Sequence, residues 1–253
     1  MRNLKITIEY DGTNYAGWQV QKSHQSHVTS HQPRTIQETI ERALQKILQE
    51  KIRLIASGRT DAGVHALAQV ANFTTASKID LSKLHRALNG NLPEDIKISK
   101  IEEVDLKFNS RFSAKSKVYR YTILNRAFSS PFLRSTAHFL HCHLDLALMR
   151  KEARAILGRH DFTSFTASGG KKRNSLKTIK KIKITKKNNL ISIEIEADGF
   201  LYKMVRNIVG TLIEIGRGEF SRGSLKKILA AQDRKMAGPA APARGLLLVK
   251  VKY

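Results

Sequence analysis

Apolar residues along this chain fall into alternating runs and helical stripes, and the order of those elements occurs twice. "LKITIEY" alternates apolar and polar positions and predicts a strand. In "TIQETIERALQKILQE", Ile36, Ile40, Leu44, Ile47 and Leu48 recur three or four residues apart, the stripe of an amphipathic helix. Thr35 and Glu38 have the spacing of a capping box at its start. Strands are predicted around residues 52–56 and 68–74, followed by the helix "DLSKLHRALNG" with Asp80 as its cap and Gly90 beyond its end. "DIKISKIEEV" is the next strand. The order is β-α-β-β-α-β.

"SKVYRYTIL" opens the second series as a strand, with a shorter extended piece near "TAHFLH". "DLALMRKEARAILG" predicts a helix from Asp145. "LKTIKKIKITKK" and "LISIEIEADG" are strands joined by "NN", a hairpin signal. "FLYKMVRNIVGTLIEIG" and "SRGSLKKILAAQ" predict helices, and "GLLLVKVKY" a closing strand. The expected fold class is therefore α+β, with two ferredoxin-like halves, residues 1–105 and 106–253, on a mainly antiparallel sheet. That pattern hosts many functions and by itself selects none.

Charge changes the picture more than composition does. Of 253 residues, 41% are hydrophobic, enough for packed cores. The formal net charge is +24, a balance expected of a protein with a polyanionic partner. Residues 1–105 carry 14 basic and 12 acidic side chains, whereas residues 106–253 carry 31 and 9. The excess sits almost wholly in the second half, which argues for a basic face there. Cys142 is the only cysteine, so neither a disulfide framework nor a cysteine-based zinc site is expected. The longest apolar run holds Lys203, Arg206, Asn207 and Glu214 and reads as a buried helix, not a membrane span. With no apolar signal segment at the start, the expected location is cytoplasmic.

"SGRTDAGVHA" (residues 57–66) is the richest candidate for chemistry. A turn between two strands needs only Gly, Asn or Asp, yet this one holds Arg59, Thr60, Asp61 and His65. A carboxylate beside a guanidinium stays ionised, which suits Asp61 to a nucleophile or general base. Arg206, in an otherwise apolar helix, is a second candidate guanidinium; surface snorkelling is its alternative. In "VYRY", Tyr119 and Tyr121 share one side of a strand and Arg120 takes the other. One tyrosine is expected to pack in the core and the other to stack on an unpaired base. His24, His27 and His31 lie in a polar stretch with no cysteine or paired carboxylate, a weak pattern for a metal. "TASGGKKRNS" is either a mobile tip or a phosphate-contacting arm.

Taken together, these stretches resemble the tRNA pseudouridine synthase A family. The similarity runs in order through "IEYDGTNYAGWQVQ", "TIQETIERAL", "SGRTDAGVHALAQVANF", "RFSAKSKVYRYTILN", "HDFTSF", "DGFLYKMVRNIVGTLIEIG" and "APARGLLLVKVKY". The resemblance implies isomerisation of uridine to pseudouridine at positions 38, 39 and 40 of the tRNA anticodon arm, by a homodimer with a basic cleft. It implies no cofactor and no metal. It places the catalytic aspartate at Asp61, the base-stacking aromatic at Tyr119, and the active-site arginines at Arg59 and Arg206. Two departures stand out: the long insertion over residues 22–33, and a loop at 166–179 that is lysine-rich and lacks the family's usual cysteine. Either could re-aim the enzyme at other RNA positions. A non-catalytic RNA-binding module on the same scaffold is the competing expectation.

Overall fold

The computed structural model describes residues 1–19, 34–167 and 175–253. They form two compact units, Met1–Lys115 with Leu248–Tyr253, and Ser116–Leu247.

In the first unit, β1 (Arg2–Tyr10) pairs antiparallel with β3 (His65–Thr75) on one side and β4 (Ile96–Val104) on the other. The alternation expected of β1 is present: Leu4, Ile6 and Ile8 are fully buried, and they register with Phe73, Ala71 and Gln69 of β3. Helix α1 (Ile36–Leu48) buries Ile36, Ile40, Ala43, Leu44 and Leu48. Thr35 is its cap, the hydroxyl accepting from the Glu38 amide, but the Glu38 carboxylate pairs with Arg42 and does not close the expected capping box. Helix α2 (Leu81–Asn91) is capped by Asp80, whose carboxylate accepts from the amides of Ser82 and Lys83. It runs through Gly90 rather than stopping before it. Pro93 supplies the stop, because a residue preceding proline is disfavoured in helical conformation and Leu92 is extended (φ −87°, ψ 147°).

Two strand boundaries also differ from expectation. The short strand β2 covers only Ile55–Ala56, and β3 begins at His65, three residues early. The last strand, β10 (Leu246–Lys252), lies beside β3. The Lys115 amide donates to the Lys252 carbonyl, and the Tyr253 hydroxyl to the Ser110 carbonyl.

The second unit is a sheet in the order β5 (Ser116–Asn125), β9 (Leu190–Ala197), β8 (Leu176–Lys187) and β7 (Gly158–Asp161), all antiparallel. A short strand β6 (His138–Leu140) runs parallel to β5. Strand β7 went unread in the sequence because Gly-Arg-His-Asp carries no apolar alternation. Helix α3 (Leu146–Ala153) starts at its Asp145 cap but gives way to a tight single turn over Arg154–Ile156. Helix α4 (Met204–Arg217) starts four residues later than the apolar run, after Lys203 in the left-handed region (φ 58°). Helix α5 (Ser224–Ala231) completes the set. Ile191, Ile193 and Ile195 of β9 are fully buried, as are Ile208, Val209, Leu212 and Ile215 of α4. The α+β class with mainly antiparallel pairing is thus borne out. No described helix is long and apolar enough to cross a membrane.

Backbone passes very close to α4: a Cβ on Gly210 would sit 1.7 Å from the Pro239 carbonyl oxygen. Gly210→Ala should therefore cost about 2 kcal/mol or more in a denaturant titration. Gly90→Ala, where a Cβ meets nothing within 4 Å in helical backbone, should instead stabilise the protein by roughly 0.5–1 kcal/mol.

Candidate functional site

The loop between β2 and β3 is held from three directions within the first unit. At its start, the Ser57 amide donates to the Val70 carbonyl and the Ser57 hydroxyl donates to Gln69 Oε1 at 2.7 Å. The Gln69 amide returns a bond to the Gly58 carbonyl. Ser57 and Gln69 are both buried, so these bonds replace water that cannot reach them. At its middle, Thr60 Oγ1 and the Tyr10 hydroxyl are 2.8 Å apart in the interior, and the Thr60 carbonyl accepts from the Trp18 amide. Burial pushes the Tyr10 phenol well above its ordinary pKa, so it stays protonated.

At its end, the chain turns from Asp61 to Val64, with the Val64 amide donating to the Asp61 carbonyl and Gly63 in the left-handed region (φ 73°). The segment Asp11–Trp18 is pressed against this turn. A Cβ on Gly12 would lie 2.1 Å from the Val64 carbonyl oxygen, and one on Gly17 would lie 2.7 Å from that of Thr60. Glycine at both positions is therefore a requirement of close approach.

Asp61 is half-buried at the head of that turn, and Arg59 is exposed two residues before it. His65 is buried at the base of the loop. Its Nδ1 lies 3.1 Å from the Gly12 amide and 3.0 Å from Asp11 Oδ1. One nitrogen serves only one of these at a time: unprotonated it accepts from the amide, protonated it donates to the carboxylate. Partial burial opposes the charge on Asp11, but hydrogen bonds from the Thr13 hydroxyl and amide, with His65 nearby, outweigh it. The Asp11 carboxyl is held below the usual carboxylate range.

The other two candidates belong to the second unit. Tyr119 on β5 is only 8% exposed, its ring edge-to-face with Phe200 at 5.1 Å. Tyr121 is fully buried, with its hydroxyl donating to the Pro242 carbonyl, so both tyrosines pack in the core where only one was expected to. Arg206, on the first turn of α4, is half-buried rather than extended into solvent. Its Nε donates to the Ala241 carbonyl at 2.7 Å, and the Ala241 amide donates back to the Arg206 carbonyl. The segment carrying Ala241 and Pro242 is thus fastened to both α4 and β5.

Sequence reasoning missed Tyr10, Asp11, Trp18 and Gln69 as supports of the loop. The signal was present in the compact "YDGTNYAGW", where two glycines sit among aromatics, but spacing alone did not show what they approach. His24, His27 and His31 and most of the lysine-rich 166–175 loop lie outside the described residues. Among the described residues, no group of three or more His, Cys, Asp or Glu side chains is arranged to hold a metal ion.

A basic α+β protein with an Arg-Thr-Asp loop stapled to its first strand is the class this architecture defines. Comparison with known proteins narrows it. A family model described as tRNA pseudouridine synthase matches residues 6–113 and 153–253. The tRNA pseudouridine synthase A of Acetivibrio thermocellus is 46% identical over the full length of both chains. That of Thermoanaerobacter sp. (strain X514) is 45% identical over the full length of both, and tRNA pseudouridine synthase A 2 of Clostridium tetani is 45% identical over 100% of this chain and 99% of its own. This chain belongs to the tRNA pseudouridine synthase family.

Two outcomes follow from the loop's supports. Thr60→Val keeps the side-chain shape but removes one of the two partners of the buried Tyr10 hydroxyl, leaving Gln69, and should destabilise the protein by about 0.5–1.5 kcal/mol in denaturant. Asp11 has a folded pKa below its ordinary value of 3.8, so its contribution is present above that pH and is lost as pH falls through the folded value. Asp11→Asn should therefore flatten the acid limb of a stability–pH curve below about pH 4.

Proposed function

We propose that this chain isomerises uridine to pseudouridine at positions 38, 39 and 40 of the tRNA anticodon arm, with Asp61 as the nucleophile. The observation that carries this reading is the Asp61 carboxylate on a backbone-stapled turn, within a family match that spans most of the chain. The reaction breaks the N1–C1′ glycosidic bond, turns the uracil and joins C5 to C1′. It is redox-neutral and consumes no water, so the residues themselves have all the chemistry to do. A carboxylate can open the path by attacking either ribose C1′ or uracil C6.

A base stacked in an RNA arm is out of reach and must be flipped out, at a cost of a few kcal/mol. Tyr119 stacks on the extruded base. Arg59, exposed beside the turn, holds the RNA backbone or the vacated gap. Arg206, anchored through Nε to the Ala241 carbonyl, is the second active-site guanidinium of this reading. The cations of residues 106–253 supply phosphate contacts that carry affinity, while the deformability of the anticodon arm selects the position. The working species is a homodimer in the cytoplasm, needing neither cofactor nor metal.

The test is Asp61→Asn against wild type on unmodified tRNA bearing uridines at 38, 39 and 40. Pseudouridine is mapped by chemical adduct sequencing with EDTA present, and binding is measured at fixed salt. Wild type should form product at these positions, and Asp61→Asn should bind equally and form none. Tight binding by wild type without product, across several tRNAs, would leave an RNA-binding module instead.

A further inference from the structure

No acidic residue occurs between Asp105 and Asp145, while the same stretch holds Lys107, Arg111, Lys115, Lys117, Arg120, Arg126 and Arg134. Within it, the β5–β6 connection, residues 126–137, carries two of the chain's most exposed large apolar side chains. Phe132 is 91% exposed and Phe128 68%. Apolar rings held in water restrict the water around them, a cost that an occupant stacked on them would remove.

The loop is shaped by its own bonds. Arg126 donates through Nε to the Phe128 carbonyl and through Nη2 to that of Ser129, and its guanidinium carbon lies 4.3 Å from the Phe128 ring centroid. Arg134 donates to the Pro131 carbonyl. The amides of Thr136 and Ala137 both reach the Leu133 carbonyl. Both ends are tied down, since Ile123, Leu124 and Asn125 register with His138, Phe139 and Leu140, and the Asn125 amide bonds the carbonyls of Leu140 and Cys142. Aromatic rings displayed by such a framework need little further ordering when a partner arrives.

We infer that the β5–β6 loop is a stacking platform for unpaired nucleotides of the RNA substrate, with Phe132 and Phe128 as the stacking faces and Arg126 and Arg134 contacting phosphate beside them. A flat apolar ring next to a guanidinium, in a stretch without acidic charge, fits a nucleobase and its phosphate. A protein surface would gain from the rings alone, whereas the guanidiniums of Arg126 and Arg134 on the same loop are matched by the phosphates that accompany a base. The inference rests on tRNA being the substrate and adds a binding element outside Asp61, Tyr119 and Arg206.

The test uses full-length enzyme and unmodified tRNA, with Phe128→Ala, Phe132→Ala, Phe132→Trp and Arg134→Ala. Because Phe132 is solvent-exposed, its replacement leaves the fold intact. Phe132→Ala should raise the Kd for tRNA at least about fivefold without changing the slope of log Kd against log salt, since stacking releases no counterion. Phe132→Trp should restore affinity. Arg134→Ala should lower that slope by roughly 0.7, the share of one single-strand phosphate. Unchanged Kd in both Phe128→Ala and Phe132→Ala overturns the platform. So does a Kd loss accompanied by dissociation to a smaller species in sedimentation, which would give the loop to a second copy of the chain. Wild-type product formation is scored separately, so a failure of the isomerase reading is distinguished from a failure of the platform.

Discussion

Everything around Asp61 depends on one close approach. The Asp11–Trp18 segment lies so near the Thr60–Val64 turn that two of its residues have no room for a side chain. At such a distance backbone groups pair directly with one another, as the Trp18 amide does with the Thr60 carbonyl. The buried hydrogen bond between Tyr10 and Thr60 then has no competing water, and the turn cannot relax without exposing it. The segment is also coupled to α1, through bonds from the Ile36 and Gln37 amides to the Gly17 and Trp18 carbonyls. The position of the carboxylate is thereby set by the first strand and first helix, elements that owe their stability to buried leucine and isoleucine.

Much of this fold was legible from periodicity because most of its elements obey one rule each. β1 alternates, α1 has a stripe and a Thr35 cap, and Asp80 and Asp145 cap helices where they should. Boundaries failed where two signals competed. Gly90 reads as a helix end, but the preference imposed by Pro93 on Leu92 acts later and decides. "FLYK" continues an apolar run, yet Lys203 takes a left-handed backbone and the helix waits until Met204. Strand β7 has no pattern of its own and exists because β8 offers it a partner, a tertiary fact that local sequence does not contain.

The site divides in the same way. The Arg59-Thr60-Asp61 turn stood out in the sequence because a tight turn does not need those side chains, whereas Tyr119 and Tyr121 are both buried on β5, so alternation alone did not divide their roles. The supports were not legible, since a buried Gln69 or Tyr10 looks in sequence like any other strand residue. Only three-dimensional pairing shows that Gln69 accepts from Ser57 while donating to Gly58. Arg206 shows the limit from the other side. Its charge in an apolar helix was visible, but the bond from its Nε to the carbonyl of Ala241, 35 residues away, is not something local sequence contains.

A loop stapled this thoroughly has a consequence for the proposed reaction. If the carboxylate does not move, the RNA must, and the unstacking of a base is then a cost borne by the complex, not by the protein alone. Counterion release by the basic residues of 106–253 can offset it, but that term acts equally on every RNA and falls with salt. Stacking of displaced nucleotides on protein aromatics offsets the same cost without that salt dependence, and only where bases are already unpaired. Rigid protein aromatics therefore favour substrates whose bases are available over fully paired RNA. A chain that combines a fixed carboxylate with a large cationic excess has a physical reason to carry exposed phenylalanines as well: in the proposed reaction charge brings the RNA in, and stacking rewards the arm that can open.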